Sequence, residues 1–248
     1  MSSYILLISH GSSDLSTAQE MKRLAQNYQA RHPDWKIEYC FLELTEPFFS
    51  SIIEKIAPLS KLIQVLPLFL FEGRHFKKDI PLLIQAAQSK FPKIIFQLAQ
   101  PIGVHQFMID LLYEKLFSIG FNPTSTGSRI LIIGHGTSDL EVNSDFLRLT
   151  SLFQKHHSFP TVETCFIGMG KPPIEEYLFH LSNTKPGNLW VAPYLLFHGH
   201  FIRKILETMD KFLIKNPKWK IQLTMPLNGH ELLLETLDAR LGELSIFS

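Results

Sequence analysis

Three residues whose side chains can hold a metal ion or move a proton near neutral pH each follow a strand-like run of this chain. His10 follows YILLIS, Glu43 lies at the end of KIEYCFLEL, and His75 follows KLIQVLPLFLF through Glu72-Gly73-Arg74. His105 leaves a fourth run, KIIFQLAQ, through Pro101-Ile-Gly-Val. A neutral imidazole offers a lone pair to a cation or to a proton, and its unperturbed pKa lies near 6.5. Residue types alone decide nothing in a chain with 11 histidines, so position has to. His10 taken singly reads as readily as a hydrogen-bonded structural histidine. Its recurrence as His135, in RILIIGHGTSD, and its place at a strand end favour function. Gly73 permits a tight turn just before His75. Glu43 reads equally as a capping or surface carboxylate. His105 and His230 sit at helix starts, where capping competes with substrate contact, and His156-His157 reads as solvated surface at a helix end.

The elements that must position these residues alternate. YILLIS is a continuous apolar run, the pattern of a strand buried on both faces. Residues 16–30 follow at helical spacing, then a second strand, then a helix opening at PFFSSIIEKIA with Pro47 near its first turn. KLIQVLPLFLF reads as strand three, FKKDIPLLIQAAQSK as a helix, KIIFQLAQ as strand four and HQFMIDLLYEKLF as the last helix. Strands separated by helices imply right-handed crossovers and a parallel sheet. Ligands of such sheets bind outside the carboxyl ends of the strands, the edge at which His10, Glu43 and His75 all fall.

The whole pattern is then written again. His135 follows His10 by 125 residues, Cys165 follows Cys40 by 125 and His230 follows His105 by 125, in matching contexts. That spacing is far above the period of solenoid repeats, so the chain is an internal duplication. Gly, Pro, Ser and Thr cluster over residues 119–128 and mark a join. The expected fold class is α/β, with two tandem lobes at residues 1–120 and 128–248. Each lobe is a roughly four-stranded parallel sheet with helices on both faces.

Composition narrows the function classes. Net charge is +1, which gives no global field toward nucleic acid or a membrane surface. No apolar run approaches the ~20 residues of a membrane helix, and Met-Ser-Ser leads directly into a strand without a basic leader, so a cytoplasmic protein is expected. Two isolated cysteines make neither a zinc motif nor a disulfide framework and read as small buried strand residues. Ser12, Ser13, Thr137 and Ser138 precede helices, where they can offer hydroxyl and N–H groups to an anion or simply cap, aided by Asp14. Phosphate-cradling glycine motifs and a Gly-x-Ser-x-Gly elbow are both absent from the sequence.

LLISHGSSD, FLELTEP, VLPLFLFEGRHFKKDIP and PIGVH together resemble the sirohydrochlorin chelatases of the CbiX/SirB type, over residues 4–117 and more loosely over 129–244. The resemblance implies two chelatase-like lobes facing each other across a cleft, in a long, two-half member. It implies insertion of Co²⁺ or Fe²⁺ into sirohydrochlorin, toward cobalamin or sirohaem, with Ni²⁺ a further ion that suits imidazole. It places the functional, metal-binding histidines at His10 and His75, with Glu43 orienting a histidine or taking up a proton. A polycarboxylate tetrapyrrole would be met by Arg74 and Lys78, with Lys77 beside them and Arg203 and Lys204 recurring later. Ser12, His105, His135 and His200 complete the expected substrate contacts. The substrate ion is the only cofactor implied.

The second half departs from this pattern. Gly168 aligns with Glu43, GRHFKKDIP becomes GHFIRKILE, and His200 aligns with Arg74 rather than with His75. One step along a helix turns a side chain by about 100°, so His200 is not expected to meet His135 as His75 meets His10. The first half is therefore expected to do the chemistry and the second to close the cleft, in a monomer. The competing readings are a metal or tetrapyrrole carrier that inserts nothing, and a histidine-phosphatase type hydrolase. The latter needs an arginine before the histidine, where Ser9 and Gly134 stand.

Overall fold

The structure is a computed structural model and describes residues 2–123, 128–157, 159 and 161–246. The middle of the expected join, residues 124–127, lies outside the described residues. The first half runs β1 (Ser2–Ser9), α1 (Leu15–Arg31), β2 (Ile37–Phe41), α2 (Phe49–Ile56), β3 (Ser60–Pro67), α3 (Ile80–Lys90), β4 (Ile95–Leu98) and α4 (Gln106–Ser118). The second repeats it as β5 (Ser128–Gly134), α5 (Leu140–His156), β6 (Val162–Phe166), α6 (Ile174–Ser182), β7 (Asn188–Pro193), α7 (His200–Lys215), β8 (Lys220–Leu223) and α8 (Glu231–Ile246).

Both sheets are four-stranded and parallel, in the orders β2-β1-β3-β4 and β6-β5-β7-β8. β1 lies between two neighbours and is covered on both faces, which is why its sequence is apolar without alternation. Leu6, Leu7 and Ile8 are fully buried, and each contributes about 2 kcal/mol of apolar transfer. α2 and α3 lay Ile52, Ile53, Ile56 and Ile80 in one core with Leu6 and Ile8. Leu131 and Ile133 are treated alike by α6 and α7, through Ile174, Leu178, Ile202 and Ile205. Asp14 and Asp139 cap α1 and α5 in the same way, each accepting a hydrogen bond of 3.0 Å from the backbone N–H two residues on. Cys40 and Cys165 are free, fully buried strand residues. Burial pushes both thiols well above their ordinary range.

β3 is shorter than its sequence run. It ends at Pro67 because its neighbour β1 ends one pair later, at Ser9, leaving no partner strand for residues 68–71. Those residues bond onward instead, Leu68 N–H to Ile8 O at 2.8 Å, and Phe69 O and Leu70 O to the N–H groups of Ile102 and Gly103.

The compact units do not coincide with the two sequence halves at 1–120 and 128–248. One unit takes the chain up to Gly103 together with the stretch from Leu234 on; the other runs from Val104 to Leu233. α4 therefore belongs with the second sheet, and nearly all of α8 with the first. The reason is a set of side-chain bonds between distant segments. On α8, Asp238 accepts hydrogen bonds from Tyr28 Oη (2.7 Å) and Arg31 Nε (2.9 Å) and lies 2.8 Å from His32 Nε2. Arg31 also pairs with Glu235, and Arg240 donates to Ile102 O at 2.8 Å. α4 answers in the other unit, where Glu114 pairs with His230 at 3.1 Å and Tyr113 stacks on His157. Burial and the Asp238 carboxylate together drive the Tyr28 phenol far above its ordinary value.

Asp238→Ala leaves the buried Tyr28 hydroxyl and Arg31 with an acceptor fewer, and is expected to lower unfolding free energy by about 2 kcal/mol. Glu235→Ala, at a more exposed pair, should cost under about 1 kcal/mol. Urea denaturation followed by circular dichroism checks both; equal and negligible losses would show that α8 is not held by Asp238.

Candidate active site

The site begins with a backbone crossing. After β1 the chain turns at Gly11, whose φ is +98°, and a β-carbon there would stand 1.9 Å from Glu43 O. Only glycine allows that approach. It lets the two strand ends bond past their last sheet pair, Leu42 N–H to Ser9 O at 2.9 Å and Glu43 N–H to His10 O at 3.1 Å. Thr45 secures the same turn by donating its hydroxyl to Ser12 O. The crossing sets the two side chains side by side, with His10 Nε2 3.4 Å from Glu43 Oε1.

His75 arrives from the third strand. Residues His75–Asp79 form a single π-helical turn ahead of α3, closed by Ile80 N–H to His75 O. Pro81 follows at once and has no N–H for the carbonyl four residues back, and such π-turns cluster at functional sites. The His75 ring lies 4.4 Å from the His10 ring, edge to face at 77°. One ligand atom each from His10, Glu43 and His75 fall within 4.8 Å of one another.

Asp79 was not among the residues singled out from the sequence, although His-x-x-x-Asp at i, i+4 on a helix is a readable signal. Its Oδ2 lies 2.7 Å from His75 Nδ1. A carboxylate bonded to Nδ1 fixes the ring's orientation and leaves Nε2 as the nitrogen available to a ligand. His10 has its Nδ1 buried without a hydrogen-bond partner. The side chains of His10, Glu43 and His75 remain 42%, 53% and 34% exposed. An open set of two imidazoles and a carboxylate can hold a divalent transition ion and leave coordination positions to an incoming ligand. It can also accept protons from that ligand.

The other expected residues are placed as follows. Arg74 and Lys78 flank His75 on the exposed side of the same turn. Ser12 uses its hydroxyl to accept from Asp14 N–H at 3.1 Å, a local turn bond. His105 is the N-cap of α4, its Nδ1 accepting from Phe107 N–H at 3.3 Å, and it falls in the other compact unit. His230 repeats that cap with Leu232 N–H at 3.3 Å. In the second unit His135 is exposed and Phe201 stands where His75 stands in the first, its ring 4.3 Å from that of His135. His200 is exposed at the start of α7, beside Phe201. Ile205, in Asp79's place, is fully buried. Gly168 cannot carry a Glu43-like side chain, because a β-carbon there would meet His135 O at 2.7 Å and Gly136 O at 2.9 Å. In the places of the His75 imidazole and the Glu43 carboxylate the second unit therefore has Phe201 and Gly168.

The family model described as CbiX matches this chain twice, over residues 4–119 and 129–244. A sirohydrochlorin cobaltochelatase of Priestia megaterium is 27% identical over 246 residues, covering 96% of this chain and 79% of that protein. A sirohydrochlorin ferrochelatase of Bacillus subtilis (strain 168) is 28% identical over 218 residues, covering 88% of this chain and 83% of that protein. The solved structure of SirB from Bacillus subtilis with Fe³⁺ superposes with a TM-score of 0.88 at 27% identity, covering 98% of this chain and 96% of that one.

If Asp79 orients His75 for a metal ion, Asp79→Ala should weaken Co²⁺ binding by about 10- to 100-fold, the usual cost of removing a ligand's hydrogen-bond partner. His75→Ala should weaken it further. Calorimetric titration of the metal-free protein checks this; an Asp79→Ala affinity equal to wild type would leave Asp79 without a positioning role.

Proposed function

The chain belongs to the CbiX family, and from that premise we propose that it is a sirohydrochlorin chelatase, a lyase-class enzyme that inserts cobalt or ferrous iron into sirohydrochlorin. The observation that carries the reading is the gathering of His10, Glu43 and His75 within 4.8 Å at the carboxyl edge of the first sheet.

The reaction exchanges two pyrrole N–H protons for one divalent cation. His75 Nε2, the ring nitrogen that the Asp79 bond on Nδ1 leaves for a ligand, and His10 hold the incoming ion. Both donors are of the type that suits cobalt and iron alike. The pyrrole protons pass to the Glu43 carboxylate and to imidazole as the ion moves onto the macrocycle nitrogens. Because the three side chains are partly exposed, the ion keeps exchangeable positions and is not trapped, as it would be in a closed structural site. Arg74 and Lys78 meet the carboxylate arms of the substrate, the Arg fork making the stronger charge-assisted contacts. The metal chemistry belongs to the first unit, since the second has Phe201 and Gly168 in the places of His75 and Glu43. We take the working unit to be one chain, whose duplication supplies both lobes. No helix among the described residues is long and apolar enough to cross a membrane.

Anaerobic absorbance of sirohydrochlorin with purified protein and Co²⁺ or Fe²⁺ in turn tests the reading. His10→Ala and His75→Ala should each slow metallation by about 100-fold or more, with His135→Ala and His200→Ala close to wild type. A wild type that binds the macrocycle and never metallates it would establish a carrier instead. Loss of activity only in the second pair would move the chemistry to the second unit.

A further inference from the structure

A second group of metal-ligating side chains lies in the unit that lacks the trio. Asp110 stands on α4, His156 is the last residue of α5 and His157 caps that helix. One ligand atom from each lies within 4.8 Å of the others. His156 Nε2 is 3.5 Å from Asp110 Oδ1, close to the ligand–ligand edge of about 3.3 Å that bonds of ~2.05 Å give around a tetrahedral zinc-type ion. Gln106, one turn before Asp110, places its amide 2.9 Å from Asp110 Oδ1 and 3.3 Å from His156 Nε2. Turning that amide over would bring its oxygen toward the same point as a fourth donor.

The pair His156-His157 reads from sequence as solvated helix end, and for His157 the structure differs. Its ring stacks on Tyr113 at 4.4 Å and 11°, and its Nε2 is buried without a hydrogen-bond partner. A buried polar atom left unpaired costs about 1–3 kcal/mol and calls for an explanation. Burial, and then the neighbouring His156, hold this imidazole below its ordinary pKa against the opposing pull of Asp110 and the Ile109 carbonyl.

The duplication supplies an internal control. Shifted by 125 residues, Asp110 corresponds to Glu235, His156 to Arg31, His157 to His32 and Tyr113 to Asp238. In the first unit that corner is closed by the Arg31 guanidinium, which pairs with both Glu235 and Asp238, while His32 Nε2 lies 2.8 Å from Asp238. In the second unit the guanidinium has become an imidazole and the second carboxylate a tyrosine. The permanent cation is gone, and His157 Nε2 has lost the partner that His32 has.

We propose that Asp110, His156 and His157 bind a divalent first-row transition ion, with zinc the best match to two imidazoles and a carboxylate, and that this ion joins α4 to the end of α5 as Arg31 joins α1 to α8. The site stands apart from the chelatase reading, and its test does not use chelatase activity.

The test is zinc binding by metal-free full-length protein, read by equilibrium dialysis, with Co²⁺ absorption reporting the ligand field. Wild type should bind two ions per chain and His10→Ala/His75→Ala one. Adding His156→Gln, at a half-exposed position and with the fold checked by circular dichroism, should weaken that remaining ion at least 100-fold. Asp110→Asn should do the same. The proposal is overturned if the His10→Ala/His75→Ala protein binds no zinc, or if it binds zinc equally well with His156→Gln and Asp110→Asn.

Discussion

The contact on which the candidate active site depends is the passage of Gly11 against the Glu43 carbonyl. Parallel strands end at one edge of a sheet, but that alone leaves their following residues free to diverge. Here the turn after β1 and the turn after β2 are bonded to each other through Ser9, His10, Leu42 and Glu43, and a β-carbon at residue 11 would forbid it. An imidazole and a carboxylate are thereby set side by side by backbone geometry, before any ion is present. The π-turn then lowers His75 onto the same spot. Preorganisation of this kind spares the site most of the entropy of gathering long side chains around a cation.

Duplication has preserved the scaffold and changed the chemistry. The strand order, the capping aspartates and the histidine caps of α4 and α8 recur. Among the differences are those at the edge, where Phe201, Gly168 and Ile205 stand for His75, Glu43 and Asp79. The ring of Phe201 keeps the packing distance to His135 that His75 keeps to His10. The second copy therefore retains the shape of the edge, with Phe201 and Gly168 in the places of His75 and Glu43. Gly168, pressed against the His135 and Gly136 carbonyls, makes that loss hard to reverse by a single substitution.

The exchange of α4 and α8 between the sequence halves ties the duplication together. Each half contributes its terminal helix to the compact unit built on the other half's sheet. The fastenings are polar and lie at corresponding corners, Arg31 with Glu235 and Asp238 in one unit, His156 with Asp110 in the other. The two corners carry different charge chemistry, so the copies have diverged away from the sheet edge as well as on it.

Much of this was legible in the residues. Apolar runs without alternation identify buried parallel strands, the 125-residue spacing identifies the duplication, and parallel topology sends His10, Glu43 and His75 to one edge. The offset of His200 from His75 is visible in the alignment, and in the structure it is Phe201 that packs on His135. Other features were decided by tertiary structure. Periodicity says which face of α4 or α8 is apolar and nothing about which of two similar sheets that face covers; the choice rests on bonds such as Tyr28 to Asp238, 210 residues apart. The Asp79 bond needed the π-turn, and the length of β3 was set by where β1 stops. His157 reads as solvated until Tyr113 is laid over it. In each case the deciding energy comes from contacts between segments remote in sequence, which local pattern does not encode.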